Sequence, residues 1–205
     1  YVSNGRSGKN CWIKRDIDIV TKQLSERISN LLNIPLENSE QIQVIYYDKD
    51  QEYRQHYDGW DFDGSEKSRR NMKYGGQRMV TALAYLNTVP KGGGTRFTKL
   101  DIEVNAEIGK LLIFHNTIKG SNEKHQLSEH AGMPVIEGEK WAFNFWFKEK
   151  SRKVEYKYPE IIFSQNNIPN LCSIKVLDEN KVNLEIDLAN LEKEEKKEKE
   201  EINLE

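Results

Sequence analysis

Residues Lys140–Phe147 read KWAFNFWF, a pattern that fits a strand and no other regular element. A helix would scatter these aromatics around its whole circumference, whereas a strand sends alternate side chains to opposite faces. Trp141, Phe143, Phe145 and Phe147 then share one face, bulky enough to require a core. Lys140, Ala142, Asn144 and Trp146 share the other, which is smaller and more polar. A lysine is almost never buried unless paired. If that face points inward, Lys140 implies an anionic partner; if it points outward, Lys140 simply meets solvent. Periodicity alone leaves both readings open.

Other segments carry the same signal. Gln41–Tyr47 is rich in β-branched and aromatic residues and runs into a polar turn at Asp48–Asp50. Gln51–Asp58 follows as a short strand. Arg78–Val89 places Val80, Ala82, Ala84 and Leu86 on one face and is ended by Pro90 and Gly92–Gly94. Leu111–His115 is a short apolar run after Gly109. Many short strands with glycine-rich turns predict a mainly β sandwich or barrel, not a parallel α/β sheet. Asp16–Asn33 reads as a flanking amphipathic helix through Ile17, Val20, Leu24, Ile28, Leu31 and Leu32, stopped by Pro35 and packed on a sheet.

The chain divides into an N-terminal segment with its supporting helix (1–40), a core (41–150) and a C-terminal extension (151–205). Within the extension, Val154–Leu188 could add strands or pack on the core. Glu192–Glu201, almost wholly Glu and Lys, reads as a solvated helix or disordered tail. The long connection between Asp58 and Arg78 carries Gly59, Gly64, Gly75 and Gly76, and connections of that length are often lids.

With 37% hydrophobic and 31% charged residues, the chain can form a core under a very polar surface. A net charge of −2 gives no general electrostatic reason to bind nucleic acid or a membrane. No apolar stretch reaches membrane-spanning length. Cys11 and Cys172 show no zinc-knuckle or redox spacing, leaving one disulfide or two free thiols open. The chain begins at Tyr1 rather than Met, which suggests a trimmed product, and its compartment is not readable. A monomer or weak oligomer is expected.

The chemistry-bearing feature is His56-Tyr57-Asp58. On a strand, His56 and Asp58 project to one side, and a third ligand must come from a neighbouring strand. Three other histidines compete for that place: His115 at the end of LLIFH, His125 in a polar loop where exposure is expected, and His130 before the turn-like AGMP. Two imidazoles and one carboxylate can bind one face of Fe(II) and leave the other face open.

Four blocks in order give a specific resemblance over roughly Gln41–Phe147: QVIYYDKDQEYRQHYD, with a tyrosine ahead of the histidine; QRMVTALAYLNTVPKGGGTRF; GKLLIFHN; and HAGMPVIEGEKWAFNFWF. Together they resemble the prolyl 4-hydroxylases of the Fe(II)/2-oxoglutarate dioxygenases. The resemblance implies a double-stranded β-helix (jelly-roll) core and selects His130 as third iron ligand beside His56 and Asp58. It also implies that Lys140 binds the distal carboxylate of 2-oxoglutarate, helped by Thr95 and Tyr47. Arg78, Trp146 and Tyr53 match positions that meet a peptide substrate. The implied reaction converts peptidyl proline to 4-hydroxyproline with O2, releasing succinate and CO2, with ascorbate maintaining the iron. The implied partner is a proline-containing polypeptide, collagen-like or otherwise proline-rich.

Several positions depart from the family pattern. Asp48 and Asp50 stand where glycine is common, and Gly94 stands where an acidic residue is common. The connection after Asp58 looks long and carries Lys67, Arg69, Arg70 and Lys73. Rival readings are a related dioxygenase acting on lysine, on another protein side chain or on alkylated nucleic acid, a non-catalytic jelly-roll binding module, and a zinc hydrolase.

Overall fold

The structure, a computed structural model, describes residues 5–157 and the two strands Ser173–Asp178 and Lys181–Asp187. Thirteen strands form among these residues: β1 (Lys9–Ile13), β2 (Ile42–Tyr47), β3 (Tyr53–His56), β4 (Arg78–Tyr85), β5 (Lys91–Gly92), β6 (Thr95–Phe97), β7 (Ile102–Val104), β8 (Leu111–His115), β9 (His130–Gly132), β10 (Val135–Glu137), β11 (Lys140–Lys148), β12 (Ser173–Asp178) and β13 (Lys181–Asp187). Two α-helices accompany them, α1 (Ile19–Leu32) and α2 (Glu66–Met72).

The large sheet is antiparallel with strand order β1-β2-β11-β4-β8-β12-β13, and a four-stranded sheet has the order β3-β9-β6-β7. β5 and β10 form a short ribbon. One apolar cluster joins the sheets: Ile45, Tyr47, Leu83, Tyr85, Leu112, Phe114 and Ala142 from the large sheet meet Phe97, Val104 and Val135. Two facing antiparallel sheets around one core are the jelly roll expected.

β11 lies between β2 and β4, so both of its edges are hydrogen-bonded and its faces look onto the two cores. Phe143, Phe145 and Phe147 join Ile42, Val80, Ala82, Ile113 and, from α1, Ile28 in a second core. The other face carries Lys140, Ala142, Asn144 and Trp146, all buried, which settles the orientation that periodicity left open. Trp141 departs from the aromatic-face expectation: it is 41% exposed and packs at a tilt against Tyr46, with ring centroids 4.7 Å apart. Leu86, expected on the same strand as Val80, Ala82 and Ala84, lies just past the end of β4 and is exposed.

α1 begins later than the apolar pattern suggests. Asp18 caps it, its carboxylate accepting from the Thr21 amide at 2.8 Å while the Thr21 hydroxyl accepts from the Asp18 amide. It ends at Asn33, whose left-handed φ of 52° lets its amide return to the last turn. The contact stripe is Leu24, Ser25, Ile28, Ser29 and Leu32, and Ile17, Val20 and Leu31 lie exposed. Small serines bring the helix close, and their hydroxyls are satisfied by the Arg15 and Ile34 carbonyls.

The connection after Asp58 is ordered around α2, which buries Ser68 and Met72. β12 and β13 extend the large sheet beyond β8. Cys172 and Glu192–Glu201 lie outside the described residues; Cys11 is exposed.

Candidate metal and co-substrate site

Antiparallel pairing of β3 with β9 sets His56 directly opposite His130. Asp58 lies just past the end of β3, rather than within it, and reaches the same spot. Ligand-capable atoms of His56, Asp58 and His130 all fall within 4.8 Å of one another. His56 Nε2 is 3.7 Å from Asp58 Oδ1, and His130 Nε2 is 3.7 Å from Asp58 Oδ2. These separations are too long for hydrogen bonds and suit donors converging on one ion. Among the described residues this is the one such cluster.

Each imidazole is oriented from behind. His56 Nδ1 lies 2.8 Å from the Arg54 carbonyl oxygen, and His130 Nδ1 lies 2.8 Å from that of Ser128. A carbonyl only accepts, so Nδ1 carries the proton and Nε2 keeps its lone pair for a metal. Burial and the neighbouring His130 pull His56 down to about 3, against the attraction of Asp58. Burial pushes Asp58 up, but His130, His56, Arg78 and the Trp146 hydrogen bond overcome it and hold the carboxyl at about 2. At neutral pH the cluster therefore offers a neutral imidazole and an ionised carboxylate, as a divalent metal requires. This donor set fits Fe(II) with open positions.

The competing histidines lie elsewhere. His115 is exposed at the end of β8. His125 is buried, contrary to the expectation of exposure. Its Nδ1 accepts from the Leu127 amide at 3.0 Å, capping a short 3-10 turn.

Lys140 starts β11 opposite Tyr47 of β2 and is only 2% exposed. Its Nζ lies 5.7 Å from the Tyr47 ring centroid and 5.3 Å from that of Tyr85. No carboxylate among the described residues forms an ion pair with it. Burial and the repulsion of Arg6 lower Lys140 to about 7, with Glu103 opposing. The Tyr85 hydroxyl donates to Thr95 Oγ1 at 2.7 Å, so Thr95 joins the same interior cluster through a residue that sequence reasoning missed. Burial pushes Tyr47 up to about 12, which keeps its phenol a neutral donor. A buried cation ringed by hydroxyl donors fits the carboxylate of a dianionic co-substrate.

Gly94, next to Thr95, accounts for one departure from the family pattern. A Cβ there would sit 2.8 Å from Glu103 Oε1 and 2.9 Å from the Val104 carbonyl. Asp50 accounts for another, since it adopts a φ of 63° that aspartate tolerates better than most residues.

Arg78, Trp146 and Tyr53 line a cavity of about 640 Å³ beside His56 and Asp58. Arg78 is already engaged: Nε and Nη2 donate to the two Glu40 oxygens at 2.6 and 2.9 Å. Its guanidinium lies 3.8 Å from the Trp146 ring centroid and 4.8 Å from that of Trp60. Trp146 Nε1 donates to Asp58 Oδ2 at 2.8 Å. Tyr53 stacks on His56, with centroids 3.6 Å apart. The segment after Asp58 forms one wall of this cavity through Trp60, Asp61, Asp63 and Lys67. Gln77, fully buried, holds that wall by donating to the Trp60 carbonyl and accepting from its amide. Glu40 and Trp60 carry no motif, and Gln77 opens the second resemblance block with no role assigned to it, so only the three-dimensional contacts reveal what the three do.

Residues 42–148 match the 2OG-Fe(II) oxygenase superfamily. The chain belongs to this superfamily. A protein of Acanthamoeba polyphaga mimivirus, assigned provisionally as a prolyl 4-hydroxylase, is 37% identical over 147 residues, covering 72% of this chain and 60% of its own. Prolyl 4-hydroxylase 5 of Arabidopsis thaliana is 32% identical over 171 residues, covering 74% of this chain and 56% of its own. A viral collagen prolyl hydroxylase from Paramecium bursaria Chlorella virus 1, solved as a 2OG complex, superposes with a TM-score of 0.59 at 27% identity, covering 69% of this chain and 78% of its own. The superfamily member described here thus spans under two thirds of the curated relatives it matches. Among its described residues, no helix is long and apolar enough to cross a membrane.

Proposed function

We propose that this chain hydroxylates proline within polypeptides to 4-hydroxyproline, using Fe(II), 2-oxoglutarate and O2 and releasing succinate and CO2. The observation that carries the reading is Lys140, a buried cation with no carboxylate partner among the described residues, set inside the same jelly roll as the His56–Asp58–His130 cluster. Zinc hydrolysis would leave that buried charge without a purpose. The similarity to prolyl 4-hydroxylases supports the choice of proline.

In this proposal His56 Nε2, His130 Nε2 and an Asp58 oxygen hold the iron. The iron and 2-oxoglutarate, when bound, supply oxidation of a C–H bond by O2. Lys140 neutralises the far carboxylate of 2-oxoglutarate, and Tyr47 and Thr95 orient it. Phe97 and Phe114, packed beside His130 at centroid distances of 5.9 and 4.8 Å, keep bulk water from that side. Tyr53, Arg78 and Trp146 face the substrate. Glu40 holds the Arg78 fork rigid, and the half-buried rings of Tyr53, Tyr57 and Trp60 along the same cavity suit an extended polyproline II strand. Collagen-like and other proline-rich chains are the proposed substrate class. Ascorbate is the proposed reductant that sustains turnover.

The test incubates the iron-loaded protein with 2-oxoglutarate and a panel of proline- and lysine-containing peptides, read by mass spectrometry with succinate assayed in parallel. Oxygen addition at proline is the expected result. Addition only at lysine would move the chain to a related protein hydroxylase. No peptide oxidation and no succinate would reduce it to a non-catalytic jelly-roll module.

A further inference from the structure

A buried polar chain stands behind Asp58. Asn116 Nδ2 donates to Thr81 Oγ1 at 2.8 Å. The Thr81 hydroxyl, having received that hydrogen, directs its own proton to Asp58 Oδ2, also at 2.8 Å. Trp146 Nε1 donates to the same oxygen. Thr81 and Asn116 are fully buried, on β4 and just past β8, in a core where unpaired polar groups are costly. Asn116 Oδ1 is buried with no partner. Such an orphan is uncommon, and here it accompanies an amide turned to donate toward the carboxylate.

The arithmetic of lone pairs makes this directional. A carboxylate oxygen has two acceptor sites, and Oδ2 uses both, on Thr81 and Trp146. Each oxygen lies 3.7 Å from one imidazole, Oδ1 from His56 Nε2 and Oδ2 from His130 Nε2, so hydrogen bonding and not distance separates them: Oδ1 makes none among the described residues. We infer that Thr81 and Asn116 are positioning residues for the metal: they saturate Asp58 Oδ2, lock the carboxylate rotamer and leave Oδ1 as the ligand oxygen. The inference rests on reading His56, Asp58 and His130 as the metal site. It adds the mechanism that decides which Asp58 oxygen binds.

The test titrates the full-length apoprotein with Co(II) alone, following visible absorption, without any turnover. The parent protein should bind one Co(II), and Asp58→Ala should abolish binding. Thr81→Val, nearly isosteric but without the proton, should weaken Co(II) affinity about 10- to 100-fold, the usual effect of losing a partner that orients a metal ligand, and should alter the cobalt band at saturation. Thr81→Ser should restore both affinity and band. Asn116→Asp, which draws the Thr81 proton away from Asp58, should act like Thr81→Val. A circular-dichroism melt identifies any variant that does not fold, and the valine–serine pair then decides. Thr81→Val with parental affinity and spectrum would overturn the inference alone. So would equal losses in the valine and serine variants, which would implicate volume rather than the proton. A parent protein that binds no Co(II) would overturn the metal site itself.

Discussion

Lys140→Met should make this protein more stable while removing 2-oxoglutarate binding. The lysine is 2% exposed and lies among Tyr47, Tyr85 and the apolar interior between the sheets. Its fall from 10.5 to about 7 spans about 3.5 pH units, and at about 1.36 kcal/mol per unit the fold disfavours the charged amine by about 5 kcal/mol. The sign follows from linkage: between pH 7 and 10.5 the unfolded chain binds the proton and the folded chain does not, so stability rises with pH. Below about pH 7 the folded protein bears the full cost. Methionine matches the length of lysine without the charge, and its packing mismatch should cost under about 1.5 kcal/mol. The assay is urea unfolding of parent and variant at about pH 6 and about pH 9. Lys140→Met should exceed the parent by about 2–5 kcal/mol at the lower pH, and the gap should narrow by about 3 kcal/mol at the higher. A gap that does not change with pH, or a variant less stable than the parent at pH 6, would refute the claim that this charge is held against the interests of stability.

Three further outcomes are expected. Because 2-oxoglutarate should bind with Lys140 protonated, binding above about pH 7 must take up a proton, and the apparent Kd should weaken by up to about tenfold per pH unit; calorimetry showing constant affinity from pH 6.5 to 8.5 would contradict it. Glu40→Gln leaves the buried Arg78 guanidinium without its bidentate carboxylate and should cost about 3–5 kcal/mol in urea unfolding. Gly94→Ala pushes a methyl against the Val104 carbonyl and should cost about 1–3 kcal/mol, with weaker 2-oxoglutarate binding because Thr95 must shift; an unchanged melt would show that the turn has more room than its contacts allow.

Much of the site was legible because strand chemistry is local. The alternation of KWAFNFWF identified two faces, and the His-x-Asp spacing brought two donors to one side. The choice among His115, His125 and His130 was not local. It came first from resemblance, and the geometry accounts for it through the cross-strand pairing of His56 with His130. The helix read between Asp16 and Asn33 is there as α1, but its buried stripe is narrower than read, because hydrophobic period locates an apolar stripe and not how much of it a sheet covers, so Ile17, Val20 and Leu31 remain exposed. His125 looked like loop surface because polar neighbours suggest solvent, yet its ring is buried and caps a short turn.

What the sequence by itself determined is five of the strands (β2, β3, β4, β8 and β11), the ligand types and a lysine on the polar face of β11. Those depend on backbone periodicity and on the acid–base character of individual side chains. Tertiary structure alone decided that this face turns inward, that Lys140 is buried without a counter-ion among the described residues, and that Thr81, Asn116, Glu40 and Gln77 brace the site. These facts depend on register between strands distant in sequence, and register sets which charge meets which partner once water is gone.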